Sequence, residues 1–231
     1  MSTTIIIKLI DLMSYTLFRV LTFSIFIPAF VGWARFKKTS PVFLPFFLFI
    51  WLGTLNEIIN YIVIDILLQY NILNYNIFLL VESLLLTWQF QRWKLFGSNS
   101  KIPSLVYCVF IAVWLVENLF ISKFYLGFNS YFRILFSFVI VIMSIGMLNE
   151  IIMKEKKQLV KNSIFIICSL FILLFTYALL TESFIVYGVS MDQSFKRSLY
   201  RIFKVVNFLC NILYGVAIWW MPKKQAFALK Y

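Results

Sequence analysis

SIFIICSLFILLFTYALLTESFIVY, residues 163–187, decides the fold. Glu182 is the only formal charge in this stretch. As a helix rising about 1.5 Å per residue, it is longer than the ~30 Å hydrocarbon core of a bilayer. Apolar residues follow one another without the alternation of a barrel strand, so the stretch is predicted to be a transmembrane helix. Six more runs of membrane-spanning length flank it, at 12–33, 42–70, 72–93, 103–122, 131–152 and 199–221. Together they fill the chain. The expectation is an all-α membrane protein, a seven-transmembrane-helix bundle forming a single domain over 1–231.

Composition agrees. The hydrophobic fraction is 62% and the mean hydropathy is +0.92. A soluble domain of this length needs a more polar exterior, and hydrocarbon is the natural solvent for such a surface. The first run is read as a retained span rather than a cleaved signal: Lys8 is followed by Asp11, and no small-residue cleavage pattern follows. Pro28 is expected to kink it. Cys108, Cys168 and Cys210 all lie in apolar runs and are read as packing residues. Without a single histidine, His-containing zinc sites and Ser-His or Cys-His catalysis are excluded.

The net charge of +12 raises nucleic-acid binding. The basic residues sit in short gaps between spans, however, where they read as topology signals and contacts to anionic lipid headgroups. Arg35, Lys37, Lys38, Arg92, Lys94, Lys101, Lys154, Lys156, Lys157, Lys161, Lys223, Lys224 and Lys230 fall in alternate gaps. The opposite gaps hold only Lys8, Lys123, Lys196 and Arg197. The positive-inside rule then puts the N-terminus outside and the C-terminus in the cytoplasm. Lys154, Lys156, Lys157 and Lys161 are denser than topology requires, and are expected to meet lipid headgroups or an acidic signalling partner.

Ionisable groups left inside spans are costly and mark function by default. Glu57, Tyr61 and Asp65 are spaced four apart, on one expected helix face. Glu82, Glu117 and Glu182 follow on later spans, with Arg133, Arg201 and Lys204 as basic counterparts. The last span carries a polar stripe through Tyr200, Lys204, Asn207, Asn211 and Tyr214. In the inferred topology Glu57 and Glu82 lie ~15–18 Å along their helices from the turn at Tyr70–Asn71. The others lie nearer the outer surface. These residues describe a funnel that opens outward and narrows near the midplane, suited to a small ligand. The candidate ligand residues are Glu57, Tyr61, Glu82, Glu117, Glu182, Arg133, Arg201, Lys204, Asn207 and Asn211. The competing reading is that buried amides and ion pairs only cross-link helices.

A retinal Schiff base on Lys204 is set aside. The lysine lies only about one and a half turns into its span, and Tyr200 stands four residues before it, where the microbial rhodopsin pattern has an aspartate. No catalytic box supports an enzyme, and no cofactor or metal is implied. Three stretches carry a family resemblance: NEIINY (Asn56–Tyr61), LNYNIFLLVES (Leu73–Ser83) and RIFKVVNFLCNILYGVAIWW (Arg201–Trp220). With the span order of the whole chain, they resemble uncharacterised small multi-span proteins of AT-rich Gram-negative bacteria. Members of that family are often encoded beside histidine kinases or response regulators. The resemblance implies a sensory or accessory role in a bacterial inner membrane and assigns no ligand residues. The expected function is receptor-like, with a transporter or channel subunit as the alternative and a lipid-acting membrane enzyme third.

Overall fold

The computed structural model describes residues 19–97, 101–121, 127–154, 159–187 and 192–223. These form seven helices: α1 Arg19–Phe36, α2 Pro41–Ile66, α3 Ile72–Arg92, α4 Lys101–Ile121, α5 Ser130–Lys154, α6 Ser163–Tyr187 and α7 Gln193–Trp220. Six of them are long and apolar enough to cross a membrane, which gives the chain multi-pass character. The exception is α3. It has the length, at 21 residues, but buries Asn76, Glu82, Ser83, Thr87 and Gln89, and falls short of the apolarity the others reach.

Packing explains how α3 tolerates this. Neighbours in the ring are α1–α2, α2–α3, α3–α5, α5–α6, α6–α7 and α7–α1, and α4 lies outside against α3 and α5. Helix α3 is therefore walled by α2, α4 and α5, and most of its surface meets protein instead of lipid. In hydrocarbon, helix association depends on close packing and interhelical hydrogen bonds, not on a hydrophobic drive. Gly32 lets α1 lie on Phe47 of α2: a Cβ there would come within 3.2 Å of the Phe47 ring.

The boundaries follow local chemistry. Pro41 and Pro45 stand in the first turn of α2, where a missing N–H costs little. Asn162 caps α6, its Oδ1 accepting the N–H groups of Ile164 and Phe165 at 2.9 and 3.2 Å. The expected run over 42–70 stops being regular helix at Asn60. A π-helical turn, Tyr61–Ile66, follows, closed by the Leu67 N–H on the Ile62 carbonyl at 2.9 Å. Helix α7 begins at Gln193, earlier than expected. A 3₁₀ turn, Phe23–Ile25, stands just ahead of Pro28 in α1. Residues 12–18 of the expected first span lie outside the described residues.

The two ends of the bundle differ. One gathers Arg35, Lys37, Lys38, Arg92, Lys94, Lys101, Lys161 and Lys223, and is the basic end. There the α1–α2 link is tied to the end of α7: Ser40 N–H donates to the Pro222 carbonyl at 3.1 Å, and Arg35 lies over the Trp219 ring at 5.0 Å. The opposite end holds the α2–α3 turn and the start of α5. Toward the basic end the ring is filled by aromatic side chains. Phe46, Phe90 and Phe171 are fully buried, and Tyr214 meets Phe46 and Phe171 edge-on at 5.5 and 5.9 Å. Each such pair contributes about 0.5–1.5 kcal/mol beyond its buried area.

Candidate functional site

Two adjoining cavities occupy the ring above this aromatic floor. The outer vestibule, at the end of the α2–α3 turn, has a volume of about 680 Å³. The inner chamber below it holds about 280 Å³. Glu57, Tyr75, Arg133 and Lys204 line both, so the two form one funnel. The chamber ends on Phe49, Leu79, Phe175 and Tyr214. Leu68 lines the vestibule with a left-handed backbone, φ 54°, which costs a non-glycine residue roughly 1–2 kcal/mol.

Charges ring the vestibule in pairs. Arg19 of α1 donates to Asp65 in the π-helical turn of α2. Arg133 of α5 donates to Glu182 of α6 at 2.9 Å. Arg133 also donates to the Tyr75 hydroxyl and lies over the Tyr75 and Phe203 rings, 5.5 Å from each. Glu57 of α2 interacts with Asn60 and is attracted by Lys204 of α7 and by Arg19. Side chains of six helices thus meet around the vestibule and its neck.

The chamber is different. Glu82 of α3 is 9% exposed and faces the cavity. Among the described residues no hydrogen-bond donor or basic group reaches its carboxylate. The Tyr214 hydroxyl, on a side chain 1% exposed, likewise has no hydrogen-bond partner. Asn207 lines the chamber without a hydrogen bond among the described residues. Asn211 is satisfied by the Ser24 hydroxyl, to which its Nδ2 donates at 2.8 Å.

The funnel brings together Glu57, Glu82, Glu182, Arg133, Lys204, Asn207 and Asn211 from the residues expected on sequence grounds. Three others do not line it. Glu117 turns toward the start of α5, where its two oxygens accept the Tyr131 and Phe132 N–H groups at 3.0 and 2.6 Å. It is a helix cap supplied from another helix. Tyr61 packs against Phe23 at 5.8 Å and is 43% exposed on the outer surface. Arg201 is exposed on α7. Of the basic loop, Lys161 is exposed; Lys156, Lys157 and the Lys154 side chain lie outside the described residues.

Tyr75 was not singled out from the sequence. Its signal was the spacing of Tyr75, Leu79, Glu82, Leu86 and Gln89 at steps of four and three, the inward face of α3. Gln89 was also missed. Its Oε1 accepts the Phe46 N–H at 2.8 Å and its Nε2 donates to the Val42 carbonyl at 3.0 Å, pinning the start of α2. Among the described residues no group of histidine, cysteine or carboxylate side chains could hold a metal ion. No protein-family model, curated protein or solved structure matches the chain.

Proposed function

We propose that the protein is a receptor-like membrane protein that takes a small ligand into the funnel from outside the cell membrane. The observation that carries this reading is a mostly apolar cavity, ringed by charged side chains at the end of the α2–α3 turn, whose inner part reaches packed aromatic residues. A transporter must offer access to its site from both sides in turn. Here Phe46, Phe90 and Phe171 close the path toward the basic end. Paired charges and aromatic faces at the neck are the usual furniture of a small-molecule site. The partition of basic residues supports a cytoplasmic basic end in contact with anionic headgroups. The family resemblance supports a bacterial inner membrane and a signalling partner at that face.

The test is one-sided thiol labelling in sealed vesicles of known orientation, in a Cys108→Ala background. A cysteine at Ala178, which lines the chamber, is expected to react with a charged, membrane-impermeant reagent from the mouth side only. Labelling from the basic side, or solute flux through proteoliposomes, would replace the receptor with a transporter.

A further inference from the structure

The inner chamber holds a specific pattern of unmet polar groups. Glu82 is nine-tenths buried and makes no hydrogen bond or ion pair among the described residues, though the Tyr214 hydroxyl lies near enough to feel its charge. Tyr214 Oη and the Asn207 amide border the same void without partners there. Tyr214 Oη is a fully buried polar atom without a partner, and buried polar groups are paired in nearly all native proteins, so beside a cavity that also holds the Glu82 carboxylate it points to a bound partner or ordered water. The vestibule above does not supply one. Two of its cations are paired, Arg19 with Asp65 and Arg133 with Glu182, and Lys204 is attracted by Glu57 and Asp65. Glu82 is the carboxylate left over.

We propose that the chamber is a binding site for a small organic ammonium ion, with Glu82 as its counter-ion. This deepens the receptor reading and rests on it. A lone carboxylate at this depth holds a proton or is balanced by a bound cation. An anionic ligand is disfavoured, since it would meet Glu82 while the nearby cations are engaged. A divalent metal is disfavoured too, since no group of three or more carboxylate, cysteine or histidine side chains gathers there among the described residues. The walls favour an organic cation. Phe49, Phe78, Phe136 and Phe175 line the chamber, and aromatic faces attract ammonium groups and accept their hydrocarbon. Tyr214 and Asn207 supply oxygens for the remaining N–H donors. The volume of about 280 Å³ equals about nine water molecules at ~30 Å³ each, which suits a ligand of roughly that many heavy atoms.

The experiment uses the full chain in lipid nanodiscs and titration calorimetry. The probes are phenethylamine, a series of straight-chain primary ammonium ions, the neutral isostere 2-phenylethanol, and phenylacetate. At least one ammonium probe is expected to bind saturably, with the alcohol on the order of 30-fold weaker. Glu82→Gln is expected to weaken the ammonium by a similar factor and to leave the alcohol unchanged. Tyr214→Phe, which removes one oxygen and keeps the ring, is expected to weaken it several-fold; this second variant stands if Glu82→Gln fails to fold. If no ammonium binds, or if Glu82→Gln leaves ammonium binding intact, the proposal is overturned. Saturable binding of phenylacetate, or of the alcohol as tightly as of phenethylamine, would overturn the ammonium assignment and leave the ligand funnel standing. Labelling of Ala178→Cys from the basic side would instead overturn the receptor reading beneath it.

Discussion

Replacing Glu117 separates a structural carboxylate from those of the funnel. Its oxygens accept the Tyr131 and Phe132 N–H groups at 3.0 and 2.6 Å, and the residue is 2% exposed. These donors open α5, where the first four N–H groups have no intrahelical acceptor. The neighbouring Asn129 would be the natural cap, but both its side-chain polar atoms are buried without a partner, so nothing local replaces Glu117. Each hydrogen bond to a charged acceptor contributes about 1.5–3 kcal/mol when buried. The helix dipole adds about 0.3–1 kcal/mol. Glu182 works against both by repelling Glu117. Glu117→Ala is therefore expected to destabilise the fold by about 2–5 kcal/mol. Glu117→Gln keeps one acceptor oxygen and is expected to lose about 1–2 kcal/mol. Reversible unfolding in mixed micelles measures both, and binding in the funnel should persist once corrected for the folded fraction. If Ala matches wild type in stability, or if Gln falls as far as Ala, the capping role is wrong.

Three further outcomes are expected. Gln89→Leu removes both contacts to the start of α2 and should cost about 1–3 kcal/mol by unfolding, chiefly from the stranded Phe46 N–H. Arg133→Met leaves Glu182 unpaired and should cost about 2–3 kcal/mol, at the low end for a buried pair because the funnel admits water; adding Glu182→Gln should recover most of it in a double-mutant cycle. Reporter fusions at Ser40, Gly97, Gln158 and Tyr231 should all report the cytoplasm, and one reporting the outside would break the proposed topology.

Much of the fold was legible because hydrocarbon imposes one solution, the helix, on long apolar runs. That Glu57 and Glu82 line one chamber from neighbouring helices was legible too, since a short turn near Asn71 forces α2 and α3 to run antiparallel. What failed, failed where geometry departs from the regular helix. Glu57, Tyr61 and Asp65 were assigned one face on a period of 3.6, but the backbone widens into a π-helical turn at Tyr61. Tyr61 goes to the outer surface, while Asp65 meets Arg19. Glu117 failed differently: depth could be read from topology, but its partners are backbone groups on the next helix, and these carry no side-chain signature.

Helix α3 brings these observations together. On hydropathy alone it is the weakest span, yet it stands in the ring with its polar groups buried. A purely structural polar face should give each buried group a protein partner, as the cost of leaving one unmet exceeds the gain from making it. Asn76 does this through the Gly127 carbonyl and the Asn129 N–H, at 3.1 Å each. Ser83 and Thr87 bond back to their own helix at 2.7 and 2.8 Å. Gln89 holds the start of α2. Glu82 departs from the pattern: it carries the most costly side chain to bury, and faces the void in place of a neighbour. Structural cross-linking accounts for the amides and hydroxyls of this helix. It does not account for Glu82, whose position makes sense when the chamber is occupied.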